Sequence, residues 1–178
     1  MPILKVLVMG LPSSGKTTFV KHVFEGKDFM EMKDYVPTFG VGIGLYEYAG
    51  SEGVKVSTFD CGGQTSFIDT YFTDQWVPTL FGKVSILFYL IDSSSKDNLQ
   101  SASKLFRKYY ENVRRNSPDA EVYILASKWD KHSITDASLK DNFKDMKIYY
   151  VSVVDGSARR AAREIIDTYL QKKKREGE

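Results

Sequence analysis

The hydrophobic positions of this chain form short, nearly continuous runs that are separated by stretches with helical spacing. Four runs are rich in β-branched and aromatic residues: Ile3–Met9, Val84–Ile91, Val122–Ala126 and Ile148–Val154. Runs that do not alternate with polar residues are typical of strands buried on both faces of a parallel sheet. The pattern therefore predicts four parallel strands.

Between these runs, apolar residues recur every three or four positions, as they do on the buried face of a helix. Such segments span Phe19–Phe24, Leu99–Val113 and Ala158–Leu170. Strands that alternate with helices indicate βαβ units around a parallel sheet.

Two further apolar segments interrupt this alternation. Val41–Tyr48 and Val54–Phe59 are separated only by Ala49–Gly53, a short connection that contains glycine and predicts a β-hairpin. The expected fold class is therefore α/β, with a six-stranded, mostly parallel sheet, one antiparallel strand and helices on both faces.

Composition narrows the class of protein. The 178 residues are 42% hydrophobic, which suffices for one domain with a sizeable core. The 25 basic and 23 acidic residues form no basic stripe, so no nucleic-acid partner is expected. Cys61 is the only cysteine, which excludes an intrachain disulfide and favours a cytoplasmic location. No run approaches the roughly 20 apolar residues that span a bilayer, and no lipid anchor is expected.

The two ends of the chain differ in character. Residues 1–171 are expected to form the single domain, and residues 172–178 a basic tail that frays into solvent. Contact of the tail with anionic lipid is the alternative, but four basic residues are a weak membrane signal.

The segment Gly10–Thr17 matches the phosphate-loop pattern G-x-x-x-x-G-K-[ST] between a predicted strand and a predicted helix. In that context backbone N–H groups and the helix N-terminus bind phosphate. Lys16 is expected to bridge the β- and γ-phosphates, and the Thr17 hydroxyl to bind Mg²⁺. A plain glycine-rich turn is the alternative. The predicted nucleotide contacts from this region are Gly10, Pro12, Ser13, Ser14, Gly15, Lys16, Thr17 and Thr18.

Two more segments are placed to approach the γ-phosphate. Asp60 follows an apolar strand and is expected to hold Mg²⁺ through a water, while Gln64 orients the attacking water. Gly63 is expected to offer its N–H, and Thr38 to complete the metal shell. A Gly-Gly turn and an ordinary loop threonine are the alternatives. The predicted metal residues are Thr17, Thr38 and Asp60, and the predicted catalytic residues are Lys16, Thr38 and Gln64.

The ends of the fifth and sixth predicted strands carry candidate base contacts. The Asp130 carboxylate can accept hydrogen bonds from the N1–H and 2-amino groups of guanine, a donor pair that adenine lacks. The stem of Lys128 would lie over the base, and Ser152 with Val153 would present a backbone N–H to guanine O6. Phe29 either covers the other face of the base or packs elsewhere. The sequence thus predicts GTP rather than ATP.

These segments, in this order, resemble the Ras-like small GTPases over essentially the whole chain. Within that superfamily the chain looks most similar to the Rag/Gtr GTPases, in Phe59–Gln64, Tyr71–Thr73, Asn116–Ala120 and Ser152–Asp155. The resemblance implies the P-loop NTPase fold and binding of GTP or GDP with Mg²⁺. It assigns the family's roles to Lys16, Thr17, Thr38, Asp60, Gln64, Lys128 and Asp130.

Three departures from the family pattern stand out. Ser127 replaces an Asn that usually braces the phosphate loop and touches the base, and Pro12 and Ser13 stand where many relatives have glycine. The chain is also expected to lack the C-terminal dimerisation domain of Rag proteins. A roadblock/longin-type partner would then act in trans, or pairing would use the GTPase surface.

The leading hypothesis is a molecular switch that hydrolyses GTP slowly, because Arg107, Arg114 and Arg115 are expected to be solvated rather than catalytic. A non-hydrolysing nucleotide-binding scaffold and an ATP-using P-loop enzyme are the alternatives. The switches, Lys33–Gly44 and Cys61–Phe81, would bind effector, activating and exchange proteins. Their aromatic residues either pack on the core or form that partner surface: Phe67, Tyr71, Phe72, Trp76 and Phe81.

Overall fold

A six-stranded sheet forms the centre of the fold in the computed structural model, which describes residues 3–32 and 38–177. The strands lie in the order β2-β3-β1-β4-β5-β6. Only β2 runs antiparallel to its neighbour, and the other pairs are parallel. The predicted topology is confirmed. The strands are β1 Ile3–Gly10, β2 Val41–Glu47, β3 Lys55–Cys61, β4 Ile86–Asp92, β5 Glu121–Ser127 and β6 Lys147–Tyr150.

Helices cover both faces of this sheet. They are α1 Lys16–Phe24, α2 Thr65–Tyr71, α3 Val77–Phe81, α4 Leu99–Asn116, α5 Asp136–Asn142 and α6 Ser157–Glu176. Short 3₁₀ turns add Phe29–Met32 and Trp129–Lys131. Among residues 3–32 and 38–177, no helix has both the length and the apolar character needed to cross a bilayer.

Two hydrophobic cores lie on opposite faces of the sheet. Val6 and Val8 of β1 pack with Phe19 of α1 and with α6, whereas Leu7 and Met9 face α2 to α5. All four β1 side chains are fully buried. Because successive strand residues point to opposite faces, burial on both faces explains the uninterrupted apolar run.

The sixth strand is shorter than the sequence predicts. It ends at Tyr150, so the expectation of a strand through Val154 is wrong. Side-chain hydrogen bonds replace the ladder here: the Ser152 N–H donates to Ser157 Oγ at 2.7 Å, and the Val154 N–H donates to Ser152 Oγ at 3.1 Å. Hydroxyls that bond to nearby backbone in this way favour loops over strands.

The last helix is longer than expected, because α6 extends to Glu176 through most of the segment expected to fray. Lys172 Nζ lies 3.1 Å from Glu121 Oε1, and Lys173 Nζ lies 2.7 Å from Glu176 Oε2. These exposed ion pairs and the basic residues at the carboxyl end of the helix dipole favour the helical conformation modestly.

The aromatic residues of the predicted second switch divide between the two alternatives. Tyr71 and Phe81 are buried, whereas Phe67, Phe72 and Trp76 are half-buried against the same core. Phe72 stacks on Phe81 with ring centroids 5.9 Å apart. Core packing therefore accounts for two residues fully and leaves part of the other three exposed.

Phe81→Ala should lower the free energy of unfolding by about 3–5 kcal/mol, because it leaves a cavity in this core. Phe39→Ala is the control: Phe39 is 69% exposed, and its loss should cost less than about 1 kcal/mol. Equilibrium denaturation in urea measures both. Equal effects of the two substitutions would contradict this description of the core.

Candidate functional site

The candidate site lies where the carboxyl ends of four strands meet. Gly10 of β1 pairs with Leu90 of β4, and Asp92 of β4 pairs with Ser127 of β5. Asp60 lies near the end of the neighbouring strand β3. In α/β sheets ligands bind in the crevice outside these carboxyl ends.

The loop after β1 turns directly into α1. Gly15, with φ of 91°, is the N-cap residue of this helix, and no side chain caps it. Ser13 also has a left-handed φ, of 61°. The first N–H groups of a helix have no intrahelical acceptor, and together with the helix dipole they attract anions.

Lys16 is the buried cation of this loop, with a relative exposure of 6%. Its ammonium donates to Leu11 O at 2.7 Å and to Ser14 Oγ at 3.4 Å. Burial lowers the pKa of Lys16 to about 8, against the raising effect of the Asp60 charge. A desolvated ammonium that bonds neutral acceptors is stabilised when an anion such as phosphate arrives.

Thr17, Thr38 and Asp60 bring their oxygens together beside this lysine. The Thr17 hydroxyl donates to Asp60 Oδ2 at 2.6 Å, and it lies 2.5 Å from Thr38 Oγ1. Burial raises the pKa of Asp60, whereas the Thr17 hydrogen bond and the Lys16 charge lower it. Asp60 Oδ1 is buried without a hydrogen-bond partner among the described residues.

These three side chains fit a small divalent cation, since Mg²⁺ prefers oxygen ligands and is held by few carboxylates. The unpartnered Asp60 oxygen is the observation that favours such an ion here. Among residues 3–32 and 38–177, no group of three or more His, Cys, Asp or Glu side chains is placed to hold a metal.

The second predicted switch packs against the phosphate loop at Gly63. A Cβ on Gly63 would lie 2.6 Å from Leu11 C, Pro12 N and Lys16 Nζ, so only glycine fits there. Gln64, the N-cap residue of α2, follows it. The narrow cleft between loop and switch is lined by Pro12, Ser13, Gly15, Lys16, Thr17, Thr18, Thr38, Gly62, Gly63 and Gln64.

A larger cavity of about 330 Å³ adjoins this cleft, and Gly15 and Thr18 line both. Its walls are mostly apolar and include Phe19 of α1 and Leu90 of β4. Phe29, on a 3₁₀ turn and 42% exposed, also lines the cavity. The remaining lining residues are Ser127, Lys128, Asp130, Lys131, Val151, Ser152, Val153, Val154 and Ala158.

Asp130 is oriented within this cavity by Ser152. The Ser152 hydroxyl donates to Asp130 Oδ1 at 2.6 Å. Since the N–H groups of Ser152 and Val154 bond to serine oxygens, the Val153 N–H is the one left without a partner among the described residues. The cavity therefore offers the Asp130 carboxylate and the Val153 N–H to a ligand.

Lys128 is fixed by a residue that sequence reasoning missed. Its ammonium lies 2.6 Å from Asp92 Oδ2 and donates to Ser13 O at 2.7 Å. Partial burial alone would raise the pKa of Asp92. Hydrogen bonds from Lys128 and Ser94 outweigh this effect and hold the pKa below its usual range. The sequence signal that could have identified Asp92 is a carboxylate at the end of a buried strand.

Ser127 retains a bracing role despite its departure from the family pattern. Its buried hydroxyl lies 2.7 Å from Ser14 O and 2.9 Å from Ile91 O. It thereby ties the end of β5 to the phosphate loop, which is the role expected of the usual Asn.

Of the predicted site residues, all but Gly10, Ser14 and Asp60 line one of these two cavities. Ser14 and Asp60 lie directly behind the cleft, where they contact Lys16 and Thr17. The predicted first switch is described from Thr38 onward, and residues 33–37 lie outside the described residues. Arg107 and Arg115 are exposed, as expected. Arg114 is not simply solvated, because it donates to the backbone oxygens of Pro118 and Ala120.

Comparison with known proteins shows which protein family this chain is similar to. The sequence model of the Gtr1/RagA G protein conserved region matches residues 5–168. GTP-binding protein GTR1 of Saccharomyces cerevisiae is 29% identical over 126 residues, covering 71% of this chain and 39% of that protein. Ras-related GTP-binding protein A of Dictyostelium discoideum is 30% identical over 126 residues, covering 71% and 40%. The chain thus spans less than half the length of these relatives.

A solved structure shows the same fold. The Arl6 BBS3 small GTPase from Trypanosoma brucei, with bound nucleotide analogue GppNp, aligns with a TM-score of 0.73 at 20% identity. The alignment covers 96% of this chain and 99% of that one. The predicted small-GTPase fold and the resemblance to the Rag/Gtr GTPases are confirmed.

Ser127→Ala removes the hydroxyl that ties β5 to the phosphate loop. We expect bound fluorescent GDP to dissociate roughly fivefold faster, the equivalent of about one net hydrogen bond. Ser133→Ala is the matched control, because its exposed hydroxyl donates to Ser94 O outside the cavity. Wild-type dissociation from Ser127→Ala would show that this contact does not brace the loop.

Proposed function

Because this chain belongs to the Gtr1/RagA G protein family, we propose that it is a molecular switch that binds GTP or GDP with Mg²⁺ and hydrolyses GTP slowly. The observation that carries the proposal is the junction of two cavities. One presents a buried lysine at a helix N-terminus, and the other presents Asp130 above apolar walls.

Nucleotide phosphates fit the first cavity. The N–H groups at the start of α1 and the ammonium of Lys16 would bind the β- and γ-phosphates, and the N–H of Gly63, which lines the same cleft, would bind the γ-phosphate. The proposed nucleotide contacts are Gly10, Pro12, Ser13, Ser14, Gly15, Lys16, Thr17, Thr18, Thr38, Gly63, Lys128, Asp130, Ser152 and Val153.

The hydroxyls of Thr17 and Thr38 would hold the magnesium ion directly, and Asp60 would hold it through a water. When bound, the ion neutralises phosphate charge during phosphoryl transfer. The short contacts among these three residues position them for one shared ligand.

Guanine fits the second cavity better than adenine. Asp130 Oδ1 is held by Ser152, so the carboxylate is fixed while it accepts from N1–H and the 2-amino group. Adenine has no such donors at these positions, and binding it would leave a desolvated carboxylate unpaired. The Val153 N–H complements guanine O6.

Hydrolysis is proposed to be slow because the described cleft contains a positioning group but no arginine. Gln64 would orient the attacking water, and Lys16 would offset charge on the γ-phosphate. Arginine is absent from the residues that line the cleft in the described part of the chain. A partner that inserts an arginine would raise the rate by orders of magnitude.

Partners are proposed to bind at the two switches, Lys33–Gly44 and Cys61–Phe81. Effector, activating and exchange proteins would recognise the state of these segments. A roadblock/longin-type protein would bind in trans, or the chain would pair through its GTPase surface. The half-exposed Phe67, Phe72 and Trp76 support a protein-binding surface, since aromatic side chains are enriched at interfaces.

The proposal is tested by titrating purified protein with fluorescent GTP, GDP and ATP, with and without Mg²⁺, and by following phosphate release. We expect guanine nucleotides to bind at least about tenfold more tightly than ATP, with slow release of phosphate from GTP. Preference for ATP would contradict the proposal. GTP binding without phosphate release would favour a non-hydrolysing scaffold.

Asp130→Asn should reverse the base preference. An amide accepts one hydrogen bond and donates another, so GTP affinity should fall by roughly tenfold or more while xanthosine triphosphate binds better. Asp141→Asn, at an exposed position on α5, is the charge-matched control. Unchanged selectivity of Asp130→Asn would show that Asp130 does not read the base.

A further inference from the structure

Tyr71 lies at the end of α2 and points its hydroxyl at two backbone segments. Its side chain is 2% exposed. The hydroxyl lies 2.9 Å from the carbonyl oxygen of Gly40 and 3.0 Å from that of Gly62. Gly40 belongs to the first predicted switch and Gly62 to the second, so one buried side chain contacts both.

The two segments also touch each other at this point. The Gly62 N–H donates to Gly40 O at 2.7 Å. A Cβ on Gly62 would lie 2.5 Å from Thr38 O and 3.0 Å from Gly40 O. The backbones are therefore in direct contact, and glycine at position 62 is required for that approach.

The two carbonyl oxygens at this junction differ in the donors available to them, and this difference makes the Tyr71 hydroxyl essential. Gly40 O already accepts from the Gly62 N–H, whereas Gly62 O faces the Tyr71 hydroxyl in a buried environment. Burial raises the pKa of Tyr71, so the hydroxyl keeps its proton at neutral pH. A buried carbonyl that loses its donor carries a free-energy cost that water cannot offset.

The junction stands beside the proposed phosphate and metal groups. Thr38 lies two residues before Gly40, and Asp60 lies two residues before Gly62. Gly63 and Gln64 follow at once. A displacement of either backbone therefore shifts groups on both sides of the cleft.

We propose that Tyr71 is a positioning residue that couples the two switches, through the hydroxyl contact with Gly40 O and Gly62 O. This contact is called the Tyr71 bridge below. The inference rests on the proposed function, because it assigns a role within that switch. The bridge makes the two segments order and disorder together when the γ-phosphate is gained or lost.

Tyr89 provides a matched comparison within the same core. It is fully buried, and its hydroxyl donates to the Ala102 carbonyl oxygen at 2.7 Å, between β4 and α4. Tyr89→Phe thus removes the same group from a similar environment outside the switches. If Tyr71 were only a core residue, Tyr71→Phe would behave like Tyr89→Phe.

The experiment measures hydrogen exchange by mass spectrometry in wild type, Tyr71→Phe and Tyr89→Phe, each loaded with a non-hydrolysable GTP analogue and Mg²⁺. We expect Tyr71→Phe to exchange roughly fivefold faster in two peptides, Thr38–Glu47 and Cys61–Phe67, as loss of one net hydrogen bond implies. Peptides from β4 should change no more than they do in Tyr89→Phe, which corrects for global destabilisation.

Faster exchange in both switch peptides of Tyr71→Phe alone supports the bridge. A change in only one of them, a change in neither, or equal changes in Tyr89→Phe would overturn it. All three proteins are also assayed for phosphate release from GTP, where Tyr71→Phe should be roughly fivefold slower and Tyr89→Phe unchanged.

The two proposals can fail separately. If wild type releases no phosphate, the proposed hydrolysis fails, while the exchange data with the GTP analogue bound still decide the bridge. If wild type hydrolyses GTP but both variants exchange alike, the bridge fails and the switch function stands.

Discussion

The parallel pairing of β1 with β3 and β4 is the constraint on which the rest of the site depends. It places Asp60, the phosphate loop and Asp92 at one edge of the sheet. Because the strands are buried on both faces, a shift of register by one residue would exchange the side chains that pack in the two cores, so close packing fixes this edge. The loop that leaves β1 then closes around the Lys16 ammonium, which donates to Leu11 O and Ser14 Oγ.

The removal of charged side chains from water determines which ligands this edge of the sheet can bind. Lys16 and Asp60 are both buried, and burial opposes the charged form of each. Phosphate and a divalent cation are the ligands that relieve these opposite costs together. Asp130, by contrast, is exposed, and the Ser152 hydroxyl orients its carboxylate beside mostly apolar walls. The site thus fits a ligand with an anionic end and a flat polar base, as the proposed guanine nucleotide has.

Much of this arrangement could be predicted from local sequence. The apolar runs predicted the sheet, and the glycine and lysine spacing predicted the phosphate loop. The helices α2, α3 and α5 are too short for a reliable period, and β6 ends early because hydroxyls take over its backbone bonds. The partners of Lys128 and Ser127, and the carbonyls beside Tyr71, depend on which strands and turns meet in space. No local pattern contains that information.

A switch must transmit the loss of the γ-phosphate from the cleft to its surface, and the half-buried Trp76 of the second predicted switch offers a fluorescent reporter of this change. The chain has two tryptophans, so Trp129→Phe leaves Trp76 as the sole tryptophan, which can be excited selectively over tyrosine. The decisive measurement is its fluorescence during a single turnover of GTP. The account predicts different emission in the GTP and GDP states, with a change whose rate constant equals that of phosphate release. Identical emission in both states, while phosphate is released, would contradict it.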